Sequence, residues 1–378
     1  MKQKIHGTVA DGFEEVREEF AALVAGGGPD HEGQVCAYLH GRRIVDLWAG
    51  DGGDGDSLYG VRTATQGAAH LVAALLVQDG TLELDRKVTY YWPEFAAEGK
   101  GGLTLRDLLA HRAGLVGTDS GFTGAELADD RVIAERLADQ RPFWRPGTAF
   151  GHHTLVIGAL TGEVVRRATG RTLQEVYEER VRAPHGLDLF LGLPPALDAR
   201  YRTVQRAAPA APPGSPHTLA AIALNRNAAR PTDLAALPDE PLVRARGPAS
   251  VGGTASARGL AGLYAAAIGE RGGKAPLLKP DTVAEIGQVH ATGRDLVARA
   301  HRSYGLGFEA TADVWYPLLG AGAFGHRDGG GGCQGFADPR GSLAYACTRR
   351  RYSEAPPGSG SPEDGRLVAA LCRAAAGR

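Results

Sequence analysis

The alternation of apolar and polar positions along the chain changes period several times. Residues 11–25, DGFEEVREEFAALVA, put Phe13, Val16, Phe20 and Leu23 at helical spacing behind an acidic first turn, which predicts an amphipathic helix. Residues 34–50, QVCAYLHGRRIVDLWAG, read as two strands joined by a turn at Gly41-Arg42-Arg43. The stretch GDGGDGD at 50–56 lacks the spacing of an EF-hand loop and reads as a turn after an edge strand. At 58–80, LYGVRTATQGAAHLVAALLVQDG, a short polar cluster runs into a helix that is apolar on every side.

Further along, Thr104 and Asp107 have the spacing of a capping box for a short helix that stops near Gly114. Residues 155–169 form an amphipathic pattern closed by Gly170, and an Ala-rich helix covers 254–269. AFGHRD, CQGFADP and SLAYACTRR predict three short strands joined by tight turns, and 367–377 a terminal helix. The Pro/Ala-rich segment 205–218 and the polar segment 349–365 read as surface loops. No internal repeat interrupts this order. Strands gather at both ends and helices fill the middle. The economical fold is one α+β domain over 1–378, in which the terminal segments share an antiparallel sheet flanked by helices. Its α/β part covers about 1–80 and 300–378, and its mostly helical part about 81–299.

Composition narrows the class. The 378 residues are 43% hydrophobic and 22% charged, with a formal charge of −1. That balance supplies no basic field for nucleic acid and no polybasic membrane patch. The first twenty residues have neither an apolar signal core nor a small-residue cleavage site, and no run of 18 apolar residues occurs. Cys36, Cys333, Cys347 and Cys372 lie far apart and form no CxxC pair, so free thiols in a cytoplasmic protein are expected. No H-x-x-x-H or Cys/His cluster has metal-ligand spacing, and GGGG at 329–332 lacks the Lys-Ser/Thr of a phosphate loop. Neither a metal nor another cofactor is expected.

Three stretches could meet in a cleft. Thr63 and Gln66 stand one turn apart on a helix start, so both can face one site, and the helix start favours developing negative charge. PGTAFGHHT (146–154) carries His152 and His153 before a helix. FGHRDGGGGCQGFADP (324–339) carries His326, Asp328, Gly329 and Gly330, with glycines that permit close approach to a ligand.

These stretches, with GRRIVDLWAG (41–50), 66–115, 146–173 and GFADPRGSLAYACTRR (335–350), make the chain resemble the serine β-lactamase-like esterases and penicillin-binding-protein relatives, the class C β-lactamase-related group. The resemblance implies a β-lactamase/transpeptidase-like fold. It also implies a serine acylated within S-x-x-K, a proton-relaying tyrosine and an H-x-G or K-T-G strand. The serine position falls on Thr63, the lysine position on Gln66 and the tyrosine position on His152. His326 matches the histidine of H-x-G, and Arg327 reads as an inserted residue, in a bulge.

A hydroxyl nucleophile needs a base in reach, and an amide can only exchange hydrogen bonds. β-Lactam hydrolysis and peptidoglycan cross-linking are therefore not expected. Thr63 reads either as a helix N-cap or as a nucleophile, and Gln66 either as a buried structural amide or as a substrate contact. His152, with Thr63 and His326, is the catalytic candidate, and Gln66, Asp328, Gly329 and Gly330 are the substrate-binding candidates. Asp328 could orient a histidine or hold the glycine loop. Cys333, alone in a predicted strand, reads as packing. The leading expectation is a repurposed enzyme of small-molecule, biosynthetic metabolism. It would use non-covalent acid/base chemistry on a carbonyl- or hydroxyl-bearing substrate. An esterase, lactonase or acyltransferase with Thr63 as nucleophile, and an inert small-molecule-binding module, are the alternatives.

Overall fold

The computed structural model describes residues 3–28, 31–206, 215–330, 332–352 and 362–376. The strands are β1 (His6–Val9), β2 (Gly33–Leu39), β3 (Arg42–Ala49), β4 (Leu58–Gly60), β5 (Leu189–Leu191), β6 (Tyr201–Arg202), β7 (Gly253–Ala255), β8 (Ala291–Arg294), β9 (His301–Tyr304), β10 (Glu309–Ala310), β11 (Phe324–Arg327), β12 (Gln334–Asp338) and β13 (Leu343–Arg349). A nine-stranded antiparallel sheet runs in the order β1-β3-β2-β13-β12-β11-β10-β9-β8. The N- and C-terminal segments meet where β2 pairs with β13, Leu39 opposite Leu343 and Gly33 opposite Arg349. The terminal segments therefore do share one sheet. A smaller sheet, β5-β7-β4-β6, leads into the segment that carries Thr63.

Every residue of β2 and β13 is buried because both faces of the sheet are covered. On one face lie α1 (Glu14–Gly26) and the terminal helix, Pro362–Ala375, which pack on each other. Val16, Phe20, Leu23, Phe336, Tyr345, Leu367 and Leu371 form that core. On the other face lies the Ala-rich helix Ala257–Ile268, whose small residues let it sit close to β12 and β13. A Cβ on Gly335 would come within 2.7 Å of the Tyr264 ring. α2 (Gln66–Gln78) is buried from Gln66 through Leu76, as expected of a helix that is apolar all round. Helices at Asp130–Asp139 and Ile157–Thr169 complete the helical region.

The local signals are visible in place. Thr104 accepts from the Asp107 N–H, and Gly170 ends its helix at φ 76°. Several boundaries differ. The β2–β3 turn is His40-Gly41, both at positive φ, one residue earlier than read, because a two-residue hairpin turn needs that geometry. β3 is not an edge strand, since β1 pairs along it. The short helix after Thr104 ends at Leu109, well before Gly114. Residues 253–255 are strand and the Ala-rich helix starts behind the Ser256 cap. The terminal helix starts at Pro362, not 367. Most of the loops read at 205–218 and 349–365 lies outside the described residues.

Phe20 is fully buried between α1 and the terminal helix, whereas Tyr90 is 63% exposed. Phe20→Ala should lower unfolding stability by about 3–5 kcal/mol. Tyr90→Ala should change it by less than about 0.5 kcal/mol in the same denaturant titration.

Candidate active site

Thr63 lies in a short 3-10 turn, Arg62–Thr65, between β4 and α2. The residue before it, Arg62, has φ 47°, a left-handed conformation that a long side chain adopts only when its surroundings enforce it. Arg62 is held on three sides. Its Nε donates to Asp328 Oδ2 at 2.9 Å, its Nη1 to the Gly60 carbonyl at 3.2 Å, and its guanidinium sits 4.5 Å over the Tyr352 ring. Asp328 Oδ1 in turn accepts from the Gly332 N–H at 2.9 Å. Asp328 therefore contacts Arg62 and the glycine turn, not a histidine. The Thr63 hydroxyl donates to the Arg327 carbonyl at 3.1 Å. It caps no helix: α2 starts behind Thr65, and the Thr65 hydroxyl accepts from Gly253 N–H instead.

Gln66 is fully buried. Its Nε2 donates to the Thr154 carbonyl at 2.9 Å, and a carbonyl can only accept, so the amide orientation is determined. Its Oε1 then faces His152 Nε2 at 3.2 Å, which must carry the proton. The lone pair of the neutral ring is on Nδ1, 3.2 Å from the Thr154 hydroxyl. The backbone N–H of His152 donates to Asp295 Oδ2 at 3.0 Å, and the Tyr304 hydroxyl donates to the same oxygen at 3.1 Å. Tyr304 stacks near-parallel on the His152 ring at 6.0 Å, and His111 meets it edge-on at 5.1 Å.

His326 faces the second turn of α2, with Nε2 3.3 Å from His70 Nδ1 and Phe308 beside the pair. The β11–β12 ladder stays in register through Arg327 opposite Gln334, so Arg327 makes no bulge. Gly329 is exposed with open space around it, while Gly330 packs on Tyr352 and leaves no room for a Cβ. Gly331 lies outside the described residues. His153 turns away from the cleft. Its Nδ1 donates to the Gly151 carbonyl at 2.7 Å and its Nε2 accepts from the Leu115 N–H at 3.2 Å.

The three stretches thus converge: Thr63 touches Arg327, and Gln66 joins His152 to Thr154. His70, His111, Asp295 and Tyr304 complete the surroundings. Sequence reasoning missed them because His70 and His111 lie in a stretch that carries the resemblance but not in the motifs read for the site, Asp295 and Tyr304 lie outside every stretch quoted, and only folding brings the four to the cleft.

Loss of hydration dominates the electrostatics. It pushes His70, His111 and His152 well below the usual imidazole value, His153 down to about 4 and His326 down to about 3. The rings are therefore neutral at pH 7. Burial raises the Asp295 carboxyl despite its four hydrogen-bond donors. It also lifts the Cys333 thiol to about 12, which removes thiolate chemistry there. Among the described residues no three His, Cys, Asp or Glu side chains are grouped to hold a metal ion. The arrangement offers a hydroxyl at a helix start, a neutral imidazole of defined tautomer and an amide used at both ends. Among the described residues the Thr63 hydroxyl is hydrogen-bonded to the Arg327 carbonyl and to no basic side chain.

A family model, Beta-lactamase, matches residues 21–368. The chain belongs to the beta-lactamase family. It is 38% identical to the solved EstA from Arthrobacter nitroguajacolicus Rue61a, with a TM-score of 0.91 over 100% of this chain and 99% of that one. A solved family VIII carboxylesterase is 31% identical, with a TM-score of 0.86 over 98% and 100%. Esterase/beta-lactamase LipL of Mycobacterium tuberculosis is 33% identical over 70% of this chain and 64% of LipL. Esterase EstB of Burkholderia gladioli is 29% identical over 40% of this chain and 42% of EstB. The chain thus spans less than two thirds of these two curated relatives. A β-lactamase-like fold and a place among esterase relatives are thereby established for this chain.

Two measurements check the electrostatics. An imidazole kept neutral in the native state binds fewer protons than its unfolded counterpart below about pH 6.5, so its contribution to stability falls as pH falls. Between pH 7.5 and 6 each such ring should cost about 0.8 kcal/mol. The thermal midpoint should drop across that window, before Asp130, raised to about 6, and other buried carboxyls act in the opposite sense. Separately, Asp328→Ala leaves a buried guanidinium unpaired and should cost about 3–5 kcal/mol. Arg62→Leu combined with Asp328→Ala should cost clearly less than the sum of the two single changes in the same unfolding assay.

Proposed function

We propose that this protein is an enzyme of small-molecule, biosynthetic metabolism that acts on an ester-like carbonyl compound without a lasting acyl-enzyme. The observation that carries this reading is the Gln66 amide. It donates to the Thr154 carbonyl and accepts from His152, so the group one turn from Thr63 has no capacity to take a proton. Thr63, Gln66 and His152 stand where the family resemblance puts the serine, lysine and tyrosine. The proton-handling group in this reading is His152: Nε2–H can be given to a substrate oxygen, and Nδ1 can take a proton by way of Thr154. Thr63 and the N–H groups at the helix start hold the carbonyl. His326, paired with His70, shapes the strand side of the cleft, and the exposed Gly329 leaves room for the ligand. The names of the esterase relatives support the substrate class. The same reading puts the protein in the cytoplasm, with a small molecule as its partner rather than nucleic acid or a membrane. No helix among the described residues is long and apolar enough to cross a membrane.

The second reading is an esterase or acyltransferase with Thr63 as nucleophile. It is favoured by the position of Thr63, buried but 7% accessible in the turn that leads into α2, and by the hydrogen bond that orients its hydroxyl.

Incubation with p-nitrophenyl esters and a fluorophosphonate, followed by intact-mass measurement, separates the two. The first reading expects turnover without an adduct, a loss of about 100-fold or more in His152→Ala, and less than about 10-fold in Thr63→Ala. Because the His152 ring stays neutral above pH 6.5, kcat should be level from pH 6.5 to 9 and fall only on the acid side. An adduct that Thr63→Ala abolishes establishes the second reading. Saturable binding of a carbonyl compound without any turnover would leave an inert binding module.

A further inference from the structure

A cavity of about 330 Å³ lies along α2 and is lined in part by His70, which contacts His326. Thr63, Gln66, His152 and His326 take no part in lining it. Its walls are apolar: Ala74 and Val77 from α2, Leu84, Leu109, Ile286 and Leu306. Its volume is at the lower end of the range for small-molecule sites, about 300–1,000 Å³. At its floor stands His70, 1% exposed, whose Nε2 has no hydrogen-bond partner while its Nδ1 meets His326 at 3.3 Å. A buried polar nitrogen without a partner is costly and marks a place where a further polar group is accommodated. The lining also carries Lys279, Asp281 and Glu285, and Glu285 is paired with Arg106. A ligand head of either charge would meet one group of like sign and one of opposite sign there, so the lining gives an ionic head no net advantage to offset the loss of its hydration.

We infer that this cavity binds a small neutral amphiphile, an apolar body of about ten non-hydrogen atoms with one hydroxyl or carbonyl group, and that His70 transmits its occupancy to His326. The cavity meets the surroundings of the cleft at His70, and its occupancy does not depend on the reaction proposed for the cleft. α2 joins the two, since the helix that presents Gln66 at its start lines the cavity two turns on. An occupant that moves the His70 ring must change the contact at His326, because the packed interior leaves that pair no slack.

The test uses the whole protein with labelled histidines and the probe 1-octanol, with octanoate and octylammonium as charged counterparts. Saturable shifts of the His70 and His326 resonances with 1-octanol, and at least five-fold weaker binding of both charged probes, are expected. Ala74→Trp and Ile286→Trp fill the cavity from opposite walls, and each should reduce binding at least ten-fold. The two variants keep the measurement meaningful if one of them folds poorly. Absence of saturation up to the solubility of 1-octanol overturns the site. Binding retained in both filled variants places the probe elsewhere and also overturns it. Equal affinity for a charged probe overturns the assignment of a neutral ligand, and shifts confined to His70 overturn the link to His326. None of these outcomes depends on turnover, so they stay distinct from a failure of the proposed reaction.

Discussion

The buried pairing of Arg62 with Asp328 determines where the two sides of the cleft meet. Arg62 belongs to the turn that leads into α2, and Asp328 to the turn that leaves β11. A charge taken out of water is tolerated only when its partner is held in place, and here the partner is held by the Gly332 N–H. The pair fastens a residue at φ 47° immediately before Thr63. The position of the Thr63 hydroxyl against the Arg327 carbonyl follows from it. Tyr352 over the guanidinium closes the same cluster from the C-terminal side.

From that anchor the remaining chemistry is a matter of hydrogen-bond direction. A lysine at position 66 could have moved a proton; an amide cannot. Gln66 instead converts a backbone carbonyl into a tautomer selector for His152. The imidazoles around it stay neutral because burial disfavours the charged ring. Asp295 receives the His152 backbone and the Tyr304 hydroxyl, so its contribution is to place the histidine rather than to charge it.

The second apolar space, along α2, shows the same economy. α2 is apolar on all sides, and its faces serve different neighbours: the cleft at its start, the sheet-side core along most of its length, and the cavity beside His70. His70 borders both cavity and cleft, since its Nδ1 meets His326 and its side chain lines the cavity.

Much of the fold was legible in the chain. The helical period of 11–25, the hairpin at 34–50, the Gly170 stop and the three strands near the C-terminus are local signals, set by side-chain spacing and turn chemistry. So was the joining of the two termini in one sheet. The candidates Thr63, Gln66, His152 and His326 could be named because short motifs survive without context. Tertiary structure alone decided what those residues touch. β1 was missed because a four-residue strand carries almost no periodicity, and it takes its identity from pairing with β3. The N-cap reading of Thr63 failed because Thr63 lies inside a 3-10 turn and α2 begins only behind Thr65, so its oxygen is not at a cap position. His70, His111, Asp295 and Tyr304 come from separate segments, and nothing in their local spacing could have grouped them. Periodicity and capping act between near neighbours and can be read from one stretch at a time. The direction of a hydrogen bond, the exclusion of water and the pairing of a buried charge depend on partners that only the folded chain brings together.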